Sequence, residues 1–140
     1  MNLSSNVKIT KVSDYAAAAT SAINSASVDM SGYTGVLFIA SFGTAAANNT
    51  MNAAQGADDS ADWEDLTGTS VASGASDEDV WVDVYRPTDR YVRAEIARGT
   101  STTLEAIWAI QYGPRTAPVD NTTTGTISGE VHASPAEGTA

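Results

Sequence analysis

Apolar and polar residues alternate along most of the segment from Val80 to Arg115. The alternation occurs in three stretches, Val80–Tyr85, Tyr91–Ala97 and Leu104–Tyr112, which are separated by a proline-containing turn and by a Gly-Thr-Ser turn. A period of two residues is typical of a β-strand that buries one face, and strands divided by short turns favour hairpin pairing. The segment therefore predicts an antiparallel β-meander with one face in water.

The two faces of these stretches differ in character. In the first stretch the valines share one face, so Trp81 and Tyr85 lie on the opposite, outward face and become candidates for contact with another subunit. In the third stretch the face that holds most of the large apolar residues is formed by the even positions, Leu104, Ala106, Trp108, Ile110 and Tyr112. Because Trp108 shares this face with leucine and isoleucine, its indole is predicted to lie in the core.

Upstream of this segment, the sequence predicts further strands of different burial. Residues 6–12 alternate and predict an edge strand, whereas Gly35–Phe42 is continuously apolar and predicts a central strand covered on both faces. Asn49–Gln55 and Leu66–Val71 predict two more strands. Tyr15–Ala26 is rich in alanine and serine, and it predicts a loop with one strand or a short helical turn.

These strands and their turns predict an all-β fold, either an antiparallel β-sandwich or a jelly-roll-like single domain, over residues 1–115. Residues 116–140 consist mainly of Thr, Gly, Ser, Pro and Ala, so they predict an extended C-terminal arm. Because such an arm has no core of its own, we expect a neighbouring chain to hold it. The single histidine, His132, belongs to the arm, where a rigidly held catalytic imidazole is not expected.

The charge of the chain limits its partners. The formal net charge is −10, from 17 acidic and 7 basic residues. Nucleic acid requires clustered lysine and arginine for its phosphates, and an anionic membrane surface requires the same, so we expect neither to bind directly. No apolar run approaches the roughly 20 residues that span a bilayer as a helix. A neutral or basic protein surface remains a suitable partner.

Acidic residues concentrate between Ala57 and Asp65, where they raise the question of a calcium loop. Alternate positions carry oxygen ligands, as in the first half of an EF-hand loop, but Trp63 stands where that loop requires glycine and Thr69 stands where it requires a bidentate glutamate. A solvated acidic loop is therefore favoured over an adventitious cation site. The chain has no cysteine, which excludes a zinc-thiolate site, and we expect no metal and no cofactor.

The chain also lacks the signatures of common catalytic sites. It contains no Gly-rich phosphate loop with a lysine, no HExxH and no GxSxG. With so many carboxylates, some pair lies close in sequence by chance, so such a pair does not indicate glycoside hydrolysis. We therefore expect a binding or structural protein rather than an enzyme, with a small hydrolase as the weakest alternative.

Basic residues are concentrated late in the chain. Five of the seven are arginines of the C-terminal half: Arg86, Arg90, Arg93, Arg98 and Arg115. Oppositely charged surfaces on one small domain favour head-to-tail or lateral association of copies. The alternative is that Arg86 and Arg90 pair locally with Asp83 or Asp89 around the turn.

Three segments resemble those of small head proteins from tailed bacteriophages. They are Val28–Ile39 (VDMSGYTGVLFI), Asp83–Arg93 (DVYRPTDRYVR) and Ala109–Arg115 (AIQYGPR). The resemblance implies a capsid decoration, or cement, protein with a β-sandwich or jelly-roll-like domain. Such a protein sits on the outer surface of the capsid in the virion, where it reinforces contacts between copies of the major capsid protein, and is often a homotrimer.

The resemblance and the outward-facing residues together predict a contact surface for a neighbouring subunit. It consists of aromatic and arginine residues from the last strands and turns: Trp81, Tyr85, Arg86, Arg90, Arg93 and Arg115. The alternative function is a carbohydrate-binding or adhesive β-sandwich module, in which exposed Trp81, Tyr85 or Trp63 stacks on sugars.

Overall fold

The structure is a computed structural model that describes residues 2–121 and 126–139. Its regular elements are β-strands, apart from a single-turn 3-10 helix at Leu3–Ser5, which confirms the all-β prediction. In chain order the strands are β1 (Val7–Ser13), β2 (Ala16–Ala19), β3 (Ile23–Asn24), β4 (Val28–Asp29), β5 (Gly35–Phe42), β6 (Asn49–Gly56), β7 (Glu64–Asp65), β8 (Val71–Ser73), β9 (Glu78–Tyr85), β10 (Tyr91–Ala97), β11 (Thr102–Leu104) and β12 (Ile107–Tyr112). They form two antiparallel sheets, consistent with the predicted sandwich.

The first sheet is built around β5. One edge of β5 pairs with β9, from Gly35 opposite Tyr85 to Phe42 opposite Glu78. The other edge pairs with β12 and, at its end, with β11. Strand β1 lies beyond β12, and β2 lies beyond β11. The edge position of β1 and the central position of β5 confirm two predictions, although the outer face of β5 is only half-buried.

The second sheet has β6 and β10 at its centre, paired along their whole common length. The other edge of β10 pairs with β3 and β4, and the other edge of β6 pairs with β7 and β8. The core lies between the inward faces of the two sheets. Buried residues from the longest strands include Val36, Phe38, Ala40, Phe42, Met51, Val80, Val82, Val84, Val92, Ala94 and Ile96, whose removal from water is the main force that holds the sheets together.

The predicted meander is wrong. β9 belongs to the first sheet and β10 to the second, while β12 pairs with β5 and β1. The turn after β9 begins at Arg86, whose φ of 52° is left-handed, and carries the chain across to the other sheet. Both strands still bury one face in the same core. Their alternation of apolar and polar residues is therefore the same as in two strands paired as a hairpin, and the sequence pattern does not distinguish the two arrangements.

The predicted inward face of the third stretch is wrong over most of its length. Leu104 pairs with Phe42, and Trp108 pairs with Ile39. Between these two pairs the chain advances by four residues on this stretch but by only three on β5. The extra residue interrupts the strand between β11 and β12 and reverses which positions face inward, as a β-bulge does. The buried residues after the interruption are Ile107, Ala109 and Gln111, and Trp108 is half-buried outside the core.

Two other predictions need correction. Leu66–Val71 is not a strand; a turn occupies most of it, and β8 begins only at Val71. Tyr15–Ala26 contains two short strands instead of one, β2 in the first sheet and β3 in the second. Alanine-rich composition is ambiguous here because the same small residues suit a helix and a crossing between sheets.

The start of the predicted arm is held by the domain itself. The side chain of Asn121 accepts a hydrogen bond from the backbone N–H of Ile9 (2.8 Å) and donates to the carbonyls of Ser4 (2.7 Å) and Val7 (2.8 Å). The described residues 126–139 contain no strand or helix; residues 122–125 and 140 of the arm, and Met1, lie outside the described residues. None of the helical structure described has the length and apolar character to cross a membrane.

Candidate interaction surface

Trp81 and Tyr85 lie on the outer face of β9, as the alternation predicts. Their neighbours Val80, Val82 and Val84 are buried, so the rings must point away from the core. Trp81 is 61 % exposed and Tyr85 is 62 % exposed. Large aromatic side chains with this exposure are available for contact with another molecule.

Beside them, Tyr112 connects three strands of the first sheet. Its ring lies across Gly35 of β5, and its hydroxyl donates a hydrogen bond of 2.7 Å to Asp83 Oδ1 on β9. Burial, together with the hydrogen bond to Asp83 and its charge, raises the pKa of Tyr112 to about 12. The protonated phenol hydroxyl holds the Asp83 carboxylate on this face by that hydrogen bond.

Arg86 extends the exposed aromatic pair toward the end of the sandwich. Its backbone N–H donates to the carbonyl of Thr34 (2.9 Å), and its guanidinium lies 5.2 Å from the centre of the Tyr85 ring. A cation over an aromatic face restrains both side chains. Trp81 and Tyr85 on the outer side of β9, with Arg86 beside Tyr85, are the group of exposed residues that we name the β9 face.

Arg90 and Arg115 lie around the end of the sandwich. Arg90 makes a two-pronged ion pair with Asp29, and the backbone N–H of Arg115 donates to the carbonyl of Gly32 (2.8 Å). Both arginines line a shallow cavity of about 360 Å³ that also includes Thr88. The alternative of local pairing with Asp83 or Asp89 does not hold for Arg90, because its carboxylate partner, Asp29, is 61 residues away in sequence.

Arg93 does not join the β9 face. It is an outward residue of β10 in the second sheet, on the opposite side of the sandwich. Its guanidinium donates to Glu95 Oε1 (2.8 and 2.5 Å) and lies 4.2 Å from the centre of the Trp63 ring. The six residues predicted to form one contact surface are therefore divided between the first sheet, the end of the sandwich and the second sheet.

The acidic loop around Asp58 is tied down by hydroxyl and amide groups. Asp58 Oδ1 accepts from the N–H (2.8 Å) and hydroxyl (2.7 Å) of Ser60, and these bonds lower the pKa of Asp58. Ser27 donates to Asp59. Within residues 2–121 and 126–139, no group of three acidic or histidine side chains is placed to hold a metal ion. His132 Nε2 lies 2.9 Å from Glu130 Oε2 in the arm.

One solved structure shares the fold of this chain. No family model and no curated protein matches the chain. Among solved structures, the PBSX exported protein XepA has a similar fold, with a TM-score of 0.57 and 18 % sequence identity. The match covers 96 % of this chain and 45 % of that protein, so this chain corresponds to less than half of its structural neighbour.

Proposed function

We propose that this chain is a phage structural protein that binds the outer surface of a capsid and reinforces contacts between major capsid subunits. The observation that carries the proposal is the β9 face, where two large aromatic rings and an arginine stand exposed on a rigid sheet. The segment from Asp83 to Arg93 that resembles phage head proteins runs directly out of this face. The fold shared with the PBSX exported protein XepA supports the sandwich architecture on which the proposal relies.

The proposed action is thermodynamic. Binding to two neighbouring capsid subunits adds free energy that must be lost before the shell opens, and repeated placement on a lattice strengthens attachment without new contacts. This action needs no catalytic group. It needs an exposed rigid surface, which the strands provide, and stability in the bound orientation.

We also propose that the chain forms a homotrimer. The arginine-bearing end of the sandwich, with Arg86, Arg90 and Arg115, differs in charge from the acidic segments 57–65 and 77–83. A ring of three copies brings one type of surface against the other in each contact. Complementary charge favours that arrangement and its rate of assembly.

Capsid binding is tested by sedimentation with capsids from the phage or prophage that encodes the chain. We expect the protein to co-sediment and to raise the temperature at which the capsids release their DNA. The double variant Trp81→Ala and Tyr85→Ala should lose most binding, while Tyr15→Ala, which removes a ring 59 % exposed elsewhere, should bind normally. Failure of the natural protein to bind such capsids rejects the function, and mass measurement in solution tests the trimer separately.

A carbohydrate-binding module is the second candidate, favoured by the same exposed pair. Trp81 and Tyr85 are four residues apart on one face, which separates them by about 13 Å along the strand. That spacing suits stacking on two sugars of an extended chain. The second sheet is a poorer candidate for stacking on sugars, because the guanidinium of Arg93 covers the ring of Trp63. A glycan array on which a clear signal disappears in Trp81→Ala supports this candidate over the first.

A further inference from the structure

The first sheet has an open edge at β9. β9 pairs with β5 at every residue from Glu78 to Tyr85, and no strand in the described part of the chain pairs with its other edge. In an antiparallel strand, alternate residues direct their backbone N–H and C=O groups away from the partner. β9 therefore presents a row of backbone donors and acceptors that can template a further strand.

Three features that commonly block such an edge, proline, lysine and a bulge, are absent from β9. Its sequence, EDVWVDVY, contains neither proline nor lysine, and its register with β5 has no bulge. The edge strand β1 is different. It carries Lys8 and Lys11, its register shifts after Lys11, and Asn121 caps its backbone. The same sheet thus protects one edge and leaves the other open.

A groove follows the open edge. Its first part, about 450 Å³, lies between residues 78–83 of β9 and residues of the segment 68–72. Its second part, about 290 Å³, continues beside residues 83–88, with Leu66 on the opposite bank. Thr69 and Asp83 line both parts. The two cavities therefore adjoin each other along the strand.

The outward side chains of β9 all attract cations. They are two carboxylates alternating with two aromatic rings, Asp79, Trp81, Asp83 and Tyr85. Carboxylates attract cations by charge, and the faces of aromatic rings attract them through their quadrupole. Asp79 and Asp83 accept hydrogen bonds from the neutral hydroxyls of Ser41 (2.5 Å) and Tyr112 (2.7 Å). Neither is in an ion pair within the described residues.

The opposite bank of the groove offers the half-buried Val71 and the exposed Ala72, beside the inward face of β9, where Val80 and Val82 are buried in the core. Polar residues, including Thr69 and Asp83, also line the groove. An added strand directs alternate side chains to these two environments. We propose that the β9 edge binds an extended segment of a partner protein in which lysine or arginine alternates with apolar residues. This proposal does not depend on whether the partner is a capsid subunit.

Charge argues against a second copy of β9 as the occupant. Pairing of two β9 strands brings the carboxylates of Asp79 and Asp83 from both copies onto one face, in a chain whose net charge is −10. Like charges on neighbouring strands destabilise the pair. A basic segment instead neutralises these carboxylates and places cations beside the rings of Trp81 and Tyr85.

The test uses the full chain and an acetylated, amidated hexapeptide that alternates lysine with valine. Amide hydrogen exchange followed by NMR reports which backbone N–H groups the peptide protects. We expect slower exchange at alternate residues of β9, those whose N–H points away from β5, and unchanged exchange in β6 and β10. Binding should weaken as salt is added, because the contributing charges are exposed.

Matched variants and peptides make the result specific. Trp81→Lys places a cation on the edge and should weaken binding roughly three- to tenfold, as expected from the loss of a cation–π contact. Tyr15→Lys changes a ring of similar exposure away from the edge and should bind normally. A peptide with glutamate at each lysine position should not bind.

Three outcomes overturn the proposal. The first is a peptide that saturates the protein without slowing exchange in β9. The second is equal binding of the lysine and glutamate peptides. The third is slow exchange of the outward β9 amides in the absence of peptide, in a dimer that forms as the protein concentration rises. That result would mean that a second copy of the chain occupies the edge. The measurements on the natural protein decide all three even if Trp81→Lys fails to fold.

Discussion

Arg90 holds Asp29 through two hydrogen bonds, 3.0 Å from Nε to Oδ1 and 2.7 Å from Nη2 to Oδ2. The pair joins the start of β10 to β4, which lies on the outer edge of β10. The hydrogen bond from Arg90, supported by one from the backbone N–H of Ser31, lowers the pKa of Asp29 from its ordinary value of 3.8. The carboxylate is therefore more stable in the folded chain than in the unfolded one.

This shift predicts a specific response to acid. Because the folded pKa of Asp29 is depressed, its contribution to stability is complete above about pH 4 and is lost as the pH falls through the folded value. Asp29→Asn should lower the melting temperature slightly at pH 7, and the difference from the natural protein should shrink below pH 4. The effect should be small because the two side chains are 42 % and 57 % exposed.

Thermal unfolding followed by circular dichroism between pH 7 and pH 2.5 measures this difference. Asp89→Asn is the control, since Asp89 neighbours Arg90 in sequence but accepts no hydrogen bond from it in the described structure. A gap between natural protein and Asp29→Asn that stays constant down to pH 2.5 contradicts the assignment.

The interruption between β11 and β12 predicts opposite outcomes for two isoleucines. Ile107 is fully buried in the core, and Ile110 is half-buried on the outer face. Ile107→Ala should lower the free energy of unfolding by about 2–5 kcal/mol, as expected for a core truncation. Ile110→Ala should cost clearly less. Urea denaturation of both variants measures the difference. A larger loss of stability for Ile110→Ala than for Ile107→Ala would instead support the uninterrupted strand that the alternation predicts.

Gly35 is predicted to be intolerant of a side chain because of Tyr112. A Cβ at position 35 would lie 2.3 Å from Cζ and Oη of that ring. Gly35→Ala should cost about 1–3 kcal/mol of stability through overpacking, and Tyr112→Phe should cost about 1 kcal/mol through loss of the hydrogen bond to Asp83. Denaturant unfolding of Gly35→Ala in a Tyr112→Ala background is the control: the penalty should fall, since the obstructing ring is gone.

Asn121 is predicted to anchor the beginning of the arm. Its side-chain amide makes three hydrogen bonds with the backbone of β1 and the residues before it. Asn121→Ala should lower the free energy of unfolding by about 1–2 kcal/mol. Deletion of residues 126–140, which contribute no strand or helix where described, should change it by less than about 0.5 kcal/mol. Calorimetry compares the stability of Asn121→Ala with that of the deletion variant. A larger loss of stability in the deletion variant contradicts the prediction that Asn121, and not residues 126–140, anchors the arm.

Local pattern predicted the strands well where one face is fully buried. The valines of β9 and the apolar residues at alternate positions of β10 face the core as the alternation requires. The same pattern failed to assign partners, because a strand buries the same face whether its neighbour is beside it or across the core. It also failed at Trp108, where one extra residue reversed the faces of the strand.

The sequence by itself determined that this protein is all-β, that Trp81 and Tyr85 point outward, and that its net charge is −10. These properties follow from side-chain periodicity and composition, which act locally. Only the tertiary structure decided that Arg93 lies on the opposite side from Trp81, that Arg90 pairs with Asp29, and that one edge of β9 is open. Those relationships depend on which strands become neighbours, and that choice is made by packing between residues far apart in the chain.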